Sequence, residues 1–387
     1  MEGPGFGSTE SAASLGGLSA DELVRYGRHL TLAGIGIEGQ ERLRNARMAI
    51  VGLGGLGSPV AQYLAAAGVG TIGLVDGDRV ELSNLQRQVL YGDADVGRQK
   101  VEAAAARLGA MNRNVHVQCH GVRLDSSNAL EILRNYDLVI DGSDNFPTRY
   151  LVNDASVLLG IPNVHGSVLR FEGRVSVFGA EGGPCYRCLY PEPPPPGVVP
   201  DCQDAGVLGV MPGLVGTLQA AEAIKLVCET GEPLVGRLLL VDATQPRFHV
   251  VTVVPDPSCP ACGTRELTSL IDYETFCGPP APTQVARIEA GDLAPRLSSG
   301  LQLVDVREPW EWAICRLPGA TLAPMGQLEE LRAQLDPARE TIVYCHHGSR
   351  SLAAAAQLIA SGFRRVGHLE GGIDGWSREI DPSVPRY

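Results

Sequence analysis

Cys345-His346-His347-Gly348-Ser349-Arg350 follows an apolar run, 341–345, and opens a helix-like stretch. A thiol there meets the free backbone N–H groups of a loop and a helix start, which stabilise a thiolate and bind anions. Arg350 adds a fixed positive charge. Glycine, serine and two histidines in the loop fit an inert buried cysteine poorly, so Cys345 is expected to be a nucleophile. Spacing alone leaves a phosphatase-like loop and a sulfur-carrying loop both open. The loop is short, which leaves little room for a tetrahedral oxyanion.

A second chemical stretch lies far upstream. Met48-Ala49-Ile50-Val51 ends in Gly52, Gly54, Gly55 and Gly57, and a helix-like segment follows over 60–68. Strand, glycine turn and helix together present backbone N–H groups to an anion. Gly52 and Gly54 allow a sharp turn and close approach of a phosphate, and Gly57 lets the helix pack on the strand. Asp76 ends the next apolar run, where an acid usually holds a ribose hydroxyl. These residues alone say "nucleotide" and do not choose NAD from ATP. Arg87 and Lys100, by default surface charges, sit on a polar loop and a helix start that can reach the same phosphates. Two cations suit a triphosphate. Asp144 closes another apolar run. It could cap the helix that begins near Pro147, but its place in the crevice favours Mg²⁺, which takes carboxylate beside phosphate oxygens.

Cys185-x-x-Cys188 and Cys259-x-x-Cys262 are paired knuckles of the kind that hold one zinc in a tetrahedron of four thiolates. All four positions come from protein, so the zinc is expected to be structural. Cys202 lies just past the proline run 193–196 and reads either as an ordinary exposed cysteine or as a reactive one.

The elements that position these groups follow from hydrophobic pattern. Ser19 and Glu22 form a capping box at the head of a helical, polar stretch, 18–44. Strands at 71–75, 115–119 and 137–141 alternate with helices at 97–111, 128–134 and 148–159. Further strands follow at 162–168, 174–178, 238–242 and 248–254, with a helix at 215–230. That alternation predicts an α/β fold with a mostly parallel, doubly wound sheet. Ligands of such sheets sit beyond the carboxyl ends of the strands, so Gly52, Asp76 and Asp144 should converge. A disordered lead, 1–17, precedes the first domain, 18–265. A flexible linker, 266–282, leads to a smaller α/β domain, 283–387, with strands at 301–306, 321–322, 341–345 and 365–369.

The chain has 387 residues and a formal charge of -12. The charge argues against a general nucleic-acid binder. No apolar run approaches the roughly 20 residues that a membrane-spanning helix needs, and no secretory signal is visible. A cytoplasmic protein is expected, in which ten cysteines point to metal or catalysis rather than disulfides.

Residues 18–265 resemble the adenylyltransferases that activate ubiquitin-like sulfur carriers, relatives of the ubiquitin-activating enzymes. The match rests on 52–59, Val75-Asp76-Gly77-Asp78, Ser83-Asn84-Leu85-Gln86-Arg87-Gln88, Val96-Gly97-x-x-Lys100, Asp141-x-x-Asp144-Asn145, the two cysteine knuckles and Cys202-x-x-Ala205-Gly206-Val207. Residues 283–387 resemble a rhodanese domain, through Asp305-Val306-Arg307-Glu308-Pro309, Leu317-Pro318-Gly319-Ala320, the Cys345–Arg350 loop and Glu370-Gly371-Gly372-x-x-Gly375-Trp376. The resemblance implies a Rossmann-like domain that uses ATP, Mg²⁺ and structural Zn²⁺. It implies that Asp76 binds the ribose, that Asn84, Arg87 and Lys100 contact the triphosphate, and that Arg28 reaches across a homodimer interface. Cys345 would carry a persulfide delivered by a donor such as a cysteine desulfurase. Cys202 matches a relay cysteine that some members use and others spare. The acyl substrate would be a small carrier protein ending in Gly-Gly, with molybdopterin synthesis the leading pathway and thiamine, cysteine or tRNA thiolation as alternatives. Asp305 and Arg307 are taken as structural. A dinucleotide-dependent oxidoreductase or a non-catalytic scaffold would leave Arg87, Lys100 and Cys345 without a task.

Overall fold

The computed structural model describes residues 17–194, 206–245, 247–278, 285–298 and 300–387. It divides into two compact units, one closing at Cys277 and the other opening its main stretch at Gly278.

The first unit is built on an eight-stranded sheet. Its strands are β1 (Arg47–Val51), β2 (Thr71–Val75), β3 (His116–His120), β4 (Leu138–Asp141), β5 (Asn163–Leu169), β6 (Glu172–Phe178), β7 (Arg237–Asp242) and β8 (Arg247–Thr252). Their order is β3-β2-β1-β4-β5-β6-β7-β8. The first five pair in parallel, and β5 to β8 then continue antiparallel. All five residues of β2 and all four of β4 are buried. Continuous apolar runs of this kind suit central parallel strands covered on both faces. Helices Gly57–Ala67 and Lys100–Met111 pack against the same core as Val210–Cys228, where Ile50, Leu64, Ile72, Leu108, Ile140 and Val215 meet.

Ser19 caps the first helix, Ala20–Arg25, and the box closes in both directions, with Ser19 N donating to Glu22 Oε2 at 2.8 Å and Glu22 N to Ser19 Oγ at 3.3 Å. The stretch expected as helical over 18–44 is made of three helices: Ala20–Arg25, Gly27–Leu30 and Gly36–Asn45. Residues 31–35 separate the last from the others, and Gly36, with φ at +58°, opens it.

Two expectations change. The helix Val210–Cys228 starts five residues earlier than its sequence suggests. With 19 residues and a mean hydropathy of 1.2, it is long and apolar enough to cross a membrane by length and composition alone. Here Met211, Val215, Ala220 and Ala223 are buried in the core, packed on β5, β6 and the helix Gly57–Ala67. The stretch expected as linker from 266 also belongs in part to the first unit. Tyr273–Cys277 is helical and packs on the helix Phe146–Leu159, and Tyr273, 4% exposed, donates from Oη to Asp154 Oδ2 at 2.7 Å.

The second unit is a five-stranded, wholly parallel sheet of β9 (Ala286–Ile288), β10 (Gln302–Asp305), β11 (Ala320–Leu322), β12 (Thr341–Tyr344) and β13 (Val366–Leu369), ordered β11-β10-β12-β13-β9. The central position falls to β12, which leads into Cys345. Helix Ser349–Ala360 follows the loop. Three elements have no counterpart in the sequence expectation: β9, the helix Pro309–Ile314 and the helix Gly372–Glu379. Each is eight residues or shorter, too brief for its periodicity to stand out.

Candidate functional site

The glycine turn after β1 is a steric lock. Gly52 has φ at +86°, and a Cβ on it would lie 2.8 Å from the Gly142 carbonyl oxygen. A Cβ on Gly57 would lie 2.0 Å from the Gly52 oxygen, so only glycine lets the helix Gly57–Ala67 start there. Gly54 meets nothing closer than 3.7 Å, which leaves its backbone open to the crevice.

That crevice, about 480 Å³, lies at the carboxyl ends of β1, β2 and β4. Gly52, Gly54, Gly55, Asp76, Arg87, Lys100 and Asp144 line it together. Asp76 accepts from Leu53 N and from Asp78 N, both at 2.8 Å. Lys100 Nζ is 2.8 Å from Asp78 Oδ2 and 3.7 Å from Asp76 Oδ2, and the residue is buried. Arg87 is half-buried, with Nη1 donating to the Ser83 carbonyl at 3.2 Å. Gly57 lies behind the turn. Asn84, in a short 3₁₀ turn, accepts from Glu81 N at 3.2 Å and is not among the lining residues. Arg28 is exposed and does not line the crevice of its own chain. Cys202 lies outside the described residues.

The cap of the helix Phe146–Leu159 is Asn145, whose Oδ1 accepts from Thr148 N at 2.9 Å. Asp144 therefore has no capping duty and stays exposed on the crevice wall. Two lining residues escaped sequence reasoning. Gln88 is buried with Oε1 unpartnered, and Arg149 is buried with Nε unpartnered. Gln88 closes the quoted stretch 83–88 and Arg149 follows the quoted Asn145 by four residues, yet nothing in their type or spacing separates them from surface residues.

Beneath the wall is a buried network. His165 Nδ1 lies 2.9 Å from Asp141 Oδ2, and Ser143 Oγ donates to Asp141 Oδ1 at 2.6 Å. Burial raises the Asp141 acid, but hydrogen bonds from His165 and Ser143 outweigh it and hold the group below the usual carboxylate range. Burial pushes His165 below the ordinary histidine value.

The four knuckle cysteines converge. Their sulfurs lie within 4.8 Å of one another, with Cys185–Cys259 at 3.6 Å, Cys188–Cys262 at 3.3 Å and Cys185–Cys188 at 4.0 Å. A tetrahedron with Zn–S bonds of about 2.3 Å has edges of roughly 3.8 Å. The donor set therefore fits zinc. Arg187, between the first two cysteines, makes a buried two-pronged pair with Asp154 at 2.8 and 2.8 Å, and Tyr186 N donates to Asn153 Oδ1 at 2.7 Å. Both partners lie on the helix Phe146–Leu159, which ties the knuckle to the element that begins beside Asp144.

In the second unit Cys345 is fully buried at the end of β12. Gly348 N donates to its Sγ at 3.1 Å, and Ser351 Oγ lies at 3.6 Å. The loop is held from outside. Ile373 N donates to the Cys345 carbonyl at 2.9 Å and Asp374 N to that of His346 at 3.1 Å. Gly372 has no room for a Cβ, which would come 2.3 Å from the His346 oxygen. Arg350 is not a free charge beside the sulfur: Nη1 and Nη2 donate to the Glu311 carboxylate at 2.7 and 3.0 Å. The His346 ring stacks on Tyr387 at 4.3 Å, and burial, with His347 adding to it, pushes His346 down to about 4. Asp305, the last residue of β10, and Arg307 form a fully buried pair at 2.6 Å.

Residues 26–261 match the ThiF family and residues 289–379 match the rhodanese-like domain. The chain is 46% identical over 383 residues to the probable adenylyltransferase/sulfurtransferase MoeZ of Mycobacterium tuberculosis, across 96% of each chain. It is 57% identical over 264 residues to the sulfur carrier protein adenylyltransferase of Thermus thermophilus, across 67% of this chain and 97% of that one. The crystal structure of E. coli MccB with AMPCPP and MccA superposes with a TM-score of 0.55 at 25% identity, over 62% of this chain and 74% of that one. The resemblance drawn from the motifs therefore holds along nearly the whole length, and the chain belongs to the ThiF family, in the form that continues into a rhodanese domain.

Proposed function

We propose that the protein activates the terminal carboxylate of a ubiquitin-like sulfur carrier with ATP and then converts it to a thiocarboxylate. The observation that carries this reading is the convergence of Asp76, Arg87, Lys100 and Asp144 on the glycine turn. The names of the relatives in Mycobacterium and Thermus support it.

In the first step a carboxylate oxygen of the carrier attacks the α-phosphorus of ATP, and pyrophosphate leaves. Asp76 holds the ribose. Arg87 and Lys100, with Asn84 at the edge, face the phosphates, and Mg²⁺ at Asp144 would neutralise charge on the transferring group. Arg28, exposed outside its own crevice, would serve that of a second copy. The exposed apolar residues Phe248, Val250, Val251 and Val254 on and beyond β8 support a homodimer. In the second step a persulfide on Cys345 attacks the acyl carbonyl and AMP leaves. A second thiol, assigned to Cys202, then attacks the Cys345 sulfur. That closes a Cys345–Cys202 disulfide and frees the thiocarboxylate. The donor would be a persulfide-forming enzyme such as a cysteine desulfurase. Zinc on the four cysteines is structural in this scheme. Molybdopterin synthesis is the leading pathway, and the same chemistry serves thiamine, cysteine or tRNA thiolation.

The test is mass spectrometry of a Gly-Gly-ending carrier after incubation with the protein, Mg-ATP and a persulfide donor. The expected result is a mass gain equal to replacing one oxygen by sulfur. ATP consumption without that gain sinks the second step, and no carrier-dependent ATP consumption sinks the first.

A further inference from the structure

Arg149 stands in the second turn of the helix Phe146–Leu159 and lines the crevice, yet it is only 9% exposed. Its Nε has no hydrogen-bond partner, and among the described residues no ion pair joins the guanidinium to an acid. Asp141, the buried acid whose charge reaches it, is already committed to His165 and Ser143. The guanidinium lies over the Phe146 ring at 5.2 Å and shares a hydrogen bond with the neutral Tyr186 side chain, which supplies no balancing charge. A guanidinium held out of water without a counter-ion is costly, and a ligand anion removes that cost.

The sheet order says which anion. The glycine turn after β1 divides the crevice. On one side, over β2, are Asp76 and Gly77, with Gly121 to Leu124 beyond β3. On the other, over β4 and β5, are Arg149, Val168 and Val207, with Pro212 nearby. A nucleoside anchored at Asp76 fills the first side and lays its phosphates across the turn, where Arg87 and Lys100 stand. The second side is left to the group that attacks the α-phosphorus. It offers one cation and a small apolar wall, which suits a carboxylate on a slender, side-chain-poor tail. Arginine takes a carboxylate with two parallel hydrogen bonds.

We propose that Arg149 is the binding residue for the terminal carboxylate of the acyl substrate, holding it on the β4–β5 side of the glycine turn before it attacks ATP. This rests on the adenylation reading above.

The test is calorimetric titration of the protein, first with a non-hydrolysable ATP analogue and then with a synthetic peptide ending in Gly-Gly, either as the free acid or as the C-terminal amide. Wild-type protein should bind the acid about tenfold more tightly than the amide. Arg149→Gln should bind acid and amide alike, with nucleotide affinity within about twofold of wild type. Arg149→Lys, which keeps the charge but not the fork, should recover part of the preference. Nucleotide binding reports that each variant is folded. The proposal falls if Arg149→Gln still prefers the acid, if wild type shows no preference, or if the variant loses nucleotide affinity instead. Wild-type protein that binds no nucleotide overturns the adenylation reading itself, and this proposal with it.

Discussion

Glu311 receives both terminal nitrogens of Arg350, and it receives the Tyr387 hydroxyl at 3.0 Å as well. The acid comes from the first turn of the helix Pro309–Ile314, and the arginine from the helix that follows the sulfur loop. The loop's built-in cation is thus balanced by a buried carboxylate. Burial alone would raise the Glu311 acid, but the bonds from Arg350 and from Glu308 N hold it below its ordinary 4.5. A depressed carboxylate contributes stability above that value and loses it as pH falls through the native value.

The second unit should therefore melt at steadily lower temperature as pH drops below about 4.5. Glu311→Gln removes the charge that balances Arg350 and should cost about 3 kcal/mol at neutral pH, with a flatter acid limb. Thermal melts of both proteins across the acid range check this. An unchanged acid limb in the variant would assign the pH response to other carboxylates.

Cys345→Ala should leave carrier-dependent exchange of pyrophosphate into ATP at wild-type rate and abolish thiocarboxylate formation. The substitution removes only a sulfur whose partners are Gly348 N and Ser351 Oγ. Exchange and mass assays on the same preparation separate the two steps, and loss of exchange would contradict a division of labour between the units.

Asp144→Ala should lower the exchange rate by about 10²–10³-fold, the scale of losing one preorganised electrostatic contact. The variant should keep its melting temperature, because Asn145 rather than Asp144 caps the helix. Wild-type exchange in this variant would remove Asp144 as the metal ligand.

One zinc per chain is expected by metal analysis, and a strong chelator should lower the melting transition of the first unit while leaving that of the second in place. Arg187→Ala should destabilise the first unit by about 3–5 kcal/mol, because it leaves Asp154 buried without its cation. Calorimetry resolves the two transitions.

Much of the molecule was legible in its residues. Apolar runs at β1, β2 and β4 announce central parallel strands, and acids and glycines at their ends announce the crevice. Ser19 and Glu22 announce a helix start. The rest depends on contacts that spacing does not encode. Asp144 and Asn145 are equally good caps on paper, and backbone geometry chooses Asn145. Arg350 carries the charge its type promises, but Glu311, 39 residues away, cancels it. Arg149 and Gln88 gain meaning only from what burial denies them. The helix Val210–Cys228 starts early because Met211, Pro212 and Val215 face a core that the local pattern does not show.

Gly52, Gly57 and Gly142 are one another's nearest obstacles. A Cβ on Gly142 would lie 3.0 Å from the Gly52 oxygen and 3.2 Å from Gly57 N. In most packed corners a larger residue on one side is tolerated once a smaller one appears opposite. At Gly52 and Gly57 the opposite residue is already glycine and the nearest atom in the way is backbone, so no second substitution at the facing position relieves the first. The corner offers no stepwise route to a different sequence, however far the surrounding surface drifts.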